Sequence, residues 1–313
     1  MLIPQGDLDV LTVGEALVDF VSESPAPSLQ EAEVFRRHQG GAPTNVAVNV
    51  QKLGATSAVV AKVGIGAFGS FIKAQLLAAG VTTDYLVMDH HVHTTVVFVA
   101  RTSGTPDFEA FRAGDARLSP GDIPEAAIRR ARVVHSTAFA LSRQPQRGAV
   151  QRAFSLAARE GKLTSLDPNY SPIVWPRRRE AIEVITELMA DTTFTKPSID
   201  DCHRLFDDDV DPERYVDRFH EMGAEVVVLT MGAEGMLGSF GGKRTHVPAR
   251  QVEVRDATGA GDAFWAGFLV ATLDGSEFER SLLFARAVVE RKLATVGPLP
   301  VSVDRQEIYA SLT

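Results

Sequence analysis

Residues 40–69 read "GGAPTNVAVNVQKLGATSAVVAKVGIGAFG", and the spacing of apolar positions within them decides the fold. Ala42–Gly54 carries helical spacing and stops on a glycine. Ser57–Gly64 ("SAVVAKVG") reads as a strand. Gly69–Gly80 returns to helical spacing. The same alternation continues along the chain. "VLTVGEALVDF" (10–20) reads as one buried strand leaving toward a loop, and "ARVVHSTAF" (131–139), "LTSLDPN" (163–169), "TTFTKPS" (192–198) and "EVVVLTMG" (225–232) are further β-rich runs separated by helical text. Strands alternating with helices predict βαβ units, hence an α/β fold with a mostly parallel sheet covered by helices. Ligands of such sheets bind at the carboxyl ends of the strands, where Glu15, Asp19, Asp167–Asn169, Lys196, Ser198, Thr230 and Gly232 cluster in this sequence. Two segments break the pattern. "AEVFRRHQGG" (32–41) and "TTVVFVARTSGTPDFEAFRAG" (94–114) have strand patterning, the second around a hairpin turn at Ser103–Pro106, and predict a small antiparallel sheet beside the main one.

The 313 residues are 45% hydrophobic and 23% charged, with a net charge of -8. That is enough chain for a large core. Mild acidity without a basic run argues against a nucleic-acid or anionic-membrane partner, so an anionic substrate must be met by a local pocket. A single cysteine, Cys202, excludes an intramolecular disulfide and fits a reducing compartment. The first twenty residues lack a basic segment followed by a long apolar one, and no stretch is apolar enough to span a bilayer. The expectation is a soluble cytoplasmic protein.

Two glycine-rich loops compete for a phosphate. "GIGAFG" (Gly64, Gly66, Gly69) fits G-x-G-x-x-G between a strand and a helix, with Asp84 downstream, and would suit a nicotinamide-dependent oxidoreductase. It sits in the second βα pair, however, and no second mononucleotide half is evident; such glycines equally serve a turn passing close to a neighbouring backbone. The other loop is "VRDATGAGDAFWAGF" (254–268). It carries no lysine and ends in a carboxylate, Asp262, where an anion would sit. One reading makes Asp262 a helix cap. The other makes it a general base beside N–H groups that stabilise a phosphoryl group in flight, since phosphoryl transfer needs mainly positioning and electrostatics.

The second loop and residues 40–69 together resemble the two signatures of the pfkB (ribokinase-like) family of sugar kinases, in the right order and across nearly the whole chain. The resemblance implies one kinase domain over residues 1–313. It implies a Rossmann-like three-layer core with a small antiparallel β lid built from segments around 15–40 and 92–113. It implies ATP and Mg²⁺ as cofactors, with K⁺ as a further cation; the sequence does not fix the oligomeric state, though exposed lid strands could pair across a homodimer. Asp262 falls on the family's catalytic base, with Gly259, Ala260 and Gly261 as the anion hole. Asp19, Gly40, Gly41 and Asn45 fall on sugar contacts, a pairing of carboxylate and amide that suits vicinal hydroxyls. Asn169 is a further substrate contact. Thr230, Gly232 and Gly235 match the nucleotide-binding turn, joined by Lys196, Ser198 and Thr258. Ser198 and Asp201 stand where the family commonly has Asn and Glu, which makes Asp201 the residue reaching the metal through water. Ser171 replaces a frequent Arg, and Gly66 a frequent acidic residue.

"GGAPTNVAV" with "DPN…VW" resembles the fructokinases within that family, so the acceptor implied is fructose. "FEAFRAGDARLSP" (108–120) also resembles 2-keto-3-deoxygluconate kinases, which makes Phe111 and Arg112 candidate substrate contacts; a sugar acid needs such a cation and a neutral ketose does not. A non-catalytic sugar-binding regulator is the third class, against which the intact Asp262 counts.

Overall fold

Val226–Thr230 ("VVVLT") explains why the centre of the molecule is a sheet covered on both sides. Val227 and Leu229 point into one buried cluster, and Val226 and Val228 into another. The structure is a computed structural model and describes residues 1–101, 107–295, 299–300 and 303–312. The hairpin turn expected at Ser103–Pro106 lies outside the described residues.

Among the described residues the strands are β1 (Leu8–Val13), β2 (Leu17–Ser22), β3 (Phe35–Gly40), β4 (Ser57–Gly64), β5 (Leu86–Asp89), β6 (Val96–Ala100), β7 (Asp107–Phe111), β8 (Ala131–Thr137), β9 (Leu163–Asp167), β10 (Phe194–Thr195), β11 (Val226–Thr230), β12 (Met236–Phe240) and β13 (Lys243–Val247). The helices are α1 (Ala42–Lys52), α2 (Ala67–Ala78), α3 (Glu125–Arg130), α4 (Ala138–Leu141), α5 (Gln146–Arg159), α6 (Arg178–Met189), α7 (Ile199–Phe206), α8 (Pro212–Glu221), α9 (Ala260–Leu273), α10 (Phe278–Leu293) and α11 (Arg305–Ser311). The main sheet runs β13-β12-β11-β10-β9-β8-β1-β4-β5, parallel from β11 to β5 and antiparallel at β12 and β13. Helices α3 to α8 cover one face, and α1, α9, α10 and α11 the other. A third cluster joins α1 and α2 to β4 and to Ala16 and Val18. This is the expected three-layer α/β architecture. No helix among the described residues is long and apolar enough to cross a membrane.

Two details differ from the sequence expectation. Residues 10–20 are not one strand: the chain leaves the main sheet after Val13 and starts β2 at Leu17 in the second sheet. The break falls at Gly14, where a Cβ would lie 2.8 Å from Pro43 of α1. The second sheet, ordered β3-β2-β6-β7, is antiparallel at β2/β3 and β6/β7 but parallel at β2/β6. The whole of α1, β4, α2 and β5 lies between β3 and β6, and this crossover returns the chain to the end from which β2 set out. In-register pairing puts Asp19, His38 and Val97 on one face. On the other face Phe20 stacks on Phe98 at 5.0 Å, with Phe35 and Phe111 edge-on to Phe98 and Phe68 of α2 edge-on to Phe20.

Candidate active site

Because β1, β8, β9, β10 and β11 run parallel, their carboxyl ends share one edge of the sheet, and the start of α9 meets them there. Gly259 adopts φ +72, in the left-handed region that glycine enters without strain, and caps α9 with no side chain bonded to the helix start. Ala260 N–H donates to Ala257 O and Ala263 N–H to Gly259 O. Among the described residues the N–H groups of Gly261 and Asp262 meet no protein acceptor. The helix behind is buried from Ala263 to Ala271, so its positive end and its free donors open into the cleft. Asp262 is not the cap: its Oδ2 accepts a hydrogen bond of 2.9 Å from Asn45 Nδ2, at the start of α1. Asp262 is partly open to water at the floor of the cleft. Burial among protein atoms pushes its pKa up to about 7, and the charge of Asp167 adds to this, while the Asn45 hydrogen bond and Lys196 pull the other way.

Asn45 is itself held. Gln39 Nε2, at the end of β3, donates to Asn45 Oδ1 at 3.1 Å, which turns the amide nitrogen toward Asp262. The double glycine permits the close packing around it. A Cβ on Gly40 would lie 2.1 Å from Asp19 Oδ2, and Gly41, at φ +99, would place one 2.5 Å from Glu15 O. Asp19 is pushed up to about 7, by burial first and then by the charge of Asp262. Glu15 is buried and accepts from Thr137 Oγ1 at 2.9 Å; burial pushes it up to about 8.

Phe111 and Arg112 stand apart from this group. Phe111 is half-exposed and lies on the face of the small sheet opposite Asp19. The Arg112 side chain is 2% exposed, and all its N–H donors are taken. Nε and Nη2 donate to Asp115 Oδ2 (2.9 and 2.6 Å), Nη2 also to Gln146 Oε1 (2.6 Å), and Nη1 to Phe139 O (3.2 Å) and Ser142 Oγ. Both residues border a cavity of about 630 Å³ that also touches Phe68, His93 and Thr94.

On the other side of the cleft, Asp167 ends β9. Its Oδ1 accepts from Asn169 N–H (3.2 Å), and Asn169 has φ +31; its Oδ2 pairs with Lys196 Nζ at 3.0 Å, both side chains being 6% exposed. Burial works against the charge of Lys196, but Asp167, Asp201 and Asp262 outweigh it and hold its pKa above the ordinary lysine value. A Cβ on Gly261 would lie 3.4 Å from Lys196 Nζ, so the lysine missing from the glycine loop is supplied from the end of β10. Ser198 caps α7: its Oγ accepts from Asp201 N–H (3.0 Å) and donates to Asp201 Oδ2 (2.7 Å), while Asp201 Oδ1 accepts from Arg204 (3.0 Å). Asp201 is therefore engaged on both oxygens. Among the described residues no three His, Cys, Asp or Glu side chains converge as a metal site. Thr230 N–H donates to Pro197 O (3.0 Å), and Gly232 (φ +56) and Gly235 (φ +94) shape the turn that follows. Thr258 N–H donates to Asp256 Oδ1 (2.9 Å) at the exposed rim. In "GIGAFG" a Cβ on Gly69 would lie 1.8 Å from Gly64 O, and one on Gly64 2.4 Å from Val92 O. These two glycines answer to backbone packing.

Gln39 and Asp167 hold candidate site residues in place without having been singled out for a role; Asp167 at least stood at a strand end, whereas Gln39 carried no signal in the sequence.

The pattern described as "pfkB family carbohydrate kinase" matches residues 7–298. An ATP-dependent 6-phosphofructokinase of Thermoanaerobacterium thermosaccharolyticum is 34% identical, over 93% of this chain and 89% of its own. Fructokinase-1 of Oryza sativa subsp. japonica is 32% identical, over 96% and 98%. The solved structure of Halothermothrix orenii fructokinase superposes with a TM-score of 0.81 at 34% identity, covering 93% of this chain and 99% of that one.

Proposed function

Because the chain belongs to the pfkB family of carbohydrate kinases, we propose that it transfers the γ-phosphoryl group of MgATP to a hydroxyl of a neutral ketohexose, with Asp262 as the general base. The observation that carries this reading is the Asn45–Asp262 hydrogen bond, which joins the double-glycine turn beside Asp19 to the open end of α9. The sugar lies against Asp19, Gly40, Gly41, Asn45 and Asn169. Asp262 takes the proton of the acceptor hydroxyl as its oxygen attacks, and the N–H groups of Gly261 and Asp262, with the Gly259–Ala260 turn, receive the charge on the phosphoryl oxygens. A pKa near 7 leaves Asp262 substantially ionised at neutral pH and still basic enough to accept the proton.

The nucleotide lies along Lys196, Ser198, Thr230, Gly232, Gly235, Thr258, Gly259 and Gly261. Mg²⁺ enters with the nucleotide; Asp201 Oδ2 holds the Ser198 cap, and Oδ1, which accepts from Arg204 alone, keeps a lone pair through which Asp201 would reach the metal by way of water. The small sheet is the lid, its closure excluding water, and the β3 and β7 edges are where a second copy would pair.

Arg112 decides between acceptors. With every donor committed, it has none for a substrate carboxylate, which favours a ketohexose over 2-keto-3-deoxygluconate. A phosphorylated ketohexose is the second reading. It rests on the relative named for that substrate, and on Arg36 and His38 sharing the Asp19 face of the small sheet. A panel of fructose, fructose 6-phosphate, ribose and 2-keto-3-deoxygluconate, read by coupled ADP release, tests all of this. Turnover confined to fructose supports the proposal, preference for fructose 6-phosphate selects the second reading, and efficient use of the sugar acid overturns the argument from Arg112.

A further inference from the structure

The loop that ends in Asp262 has free N–H donors but no lysine of its own, while phosphoryl transfer builds negative charge that a helix end alone meets only in part. Lys196 is a cation that the fold brings beside that place. It leaves the short strand β10, is nearly inaccessible to solvent, and lies beside Gly261. Among the described residues its one ion-pair partner is Asp167, through Oδ2 at 3.0 Å, and Asp167 is itself fixed by the Asn169 N–H on its other oxygen. The ammonium thus keeps donors to spare on the side facing the glycine turn, since a single carboxylate oxygen takes one of its three. A lysine held this way is the counterpart of the lysine that ordinary phosphate-binding loops carry within their own sequence.

Resting on the kinase reading above, we propose that Lys196 is a catalytic residue that contacts the transferring phosphoryl group, and that Asp167 is the positioning residue that aims it. In the step itself the acceptor oxygen forms its bond to Pγ, and the bond from Pγ to the bridging oxygen breaks, its electron pair leaving on ADP. The hydroxyl proton passes to Asp262. Lys196 keeps its proton throughout and supplies fixed charge. Gly261 is then required for a reason beyond turn geometry: a methyl there would fill the gap between the ammonium and the N–H groups of the helix start.

The test uses the full-length protein with MgATP and the best acceptor of the panel. Lys196→Met should lower kcat by about 100- to 1000-fold with the sugar KM unchanged. Asp167→Asn should lower kcat by about tenfold, again without moving the sugar KM. Because Lys196→Met leaves Asp167 buried without its partner, the double variant Lys196→Met/Asp167→Asn is the control. It should recover the thermal midpoint and remain as slow as Lys196→Met. Gly261→Ala should fold with its midpoint unchanged and lose turnover. If the double variant regains turnover along with stability, the pair is structural and the inference falls; wild-type kcat in Lys196→Met has the same meaning. A wild-type protein that releases no ADP with any acceptor overturns the kinase reading instead.

Discussion

Replacing Asp262 by Asn should make the protein slower and, above neutral pH, more stable. The carboxylate is raised from the ordinary 3.8 to about 7, with burial as the largest cause. A carboxyl group whose folded pKa lies above its unfolded one binds its proton more tightly when folded. The stability this contributes is complete below the unfolded pKa and is lost as pH rises through the folded one. The rise from 3.8 to about 7 is equivalent to about 4 kcal/mol. Because the carboxylate keeps a partly open face, solvent screening reduces this to about 2 kcal/mol. Asparagine keeps the shape and can still accept from Asn45, but carries no charge. Asp262→Asn should therefore melt above the wild type at pH near 8, by about 2 kcal/mol in midpoint stability, and match it near pH 4. Because the charge of Asp262 is one cause of the raised Asp19 pKa, that of Asp19 should move down in the variant. In the same preparation, kcat should fall by about 100- to 10,000-fold while both substrates still bind. Thermal melts across pH, with coupled ADP release, measure both effects. A variant less stable than wild type at pH near 8, or a difference independent of pH, would refute the burial argument; near-wild-type turnover would refute the assignment of the base.

Three other outcomes are expected. Asn45→Ala removes a hydrogen bond that lowers the Asp262 pKa, so the acid limb of the kcat/KM profile should move to higher pH, and no movement would mean that Asp262 is not the group observed. Gly40→Ala sets a methyl 2.1 Å from Asp19 Oδ2 and turns that carboxylate away; the KM for the sugar should rise about tenfold, that for ATP staying constant. Arg112→Met leaves Asp115, fully buried, without its guanidinium and should destabilise the fold by about 3–5 kcal/mol in a denaturant titration, a loss that Asp115→Asn in the same background should partly reverse.

The α/β alternation was legible because runs such as Val226–Thr230 are buried on both faces and leave no polar period to confuse with a helix. The division of residues 10–20 was not. Ala16 and Leu17 are as apolar as Val10 and Leu11, and only the packing of Pro43 against Gly14 tells where one sheet is exchanged for the other. Parallel pairing of β2 with β6 depends on a crossover of four elements and has no local signature. At the site, the composition of the glycine loop pointed to Asp262, but its partner Asn45 lies 217 residues away along the chain and is brought close by packing of α1 on α9. Ser198 and Asp201 show the reverse. Their spacing falls where the family places a metal-ordering pair, and the structure shows it also closing a capping box at the start of α7.

Asp19 belongs to the small sheet, whereas Asp262, Lys196 and the free helix start belong to the main one. On the proposed function, selection of the acceptor and transfer of the phosphoryl group would be lodged in separately supported pieces of backbone. On that reading, a substitution among β2, β3, β6 and β7 away from Gln39 and Gly40, whose bonds to Thr44 and Asn45 tie β3 to the start of α1, would reshape the acceptor pocket and leave the Asp262 end of α9 in place. Divergence in such a molecule has an easy direction, toward new acceptors with the old chemistry intact. Relatives named for a phosphorylated and for a free ketohexose stand at nearly equal distance from this chain, at 34% and 32% identity.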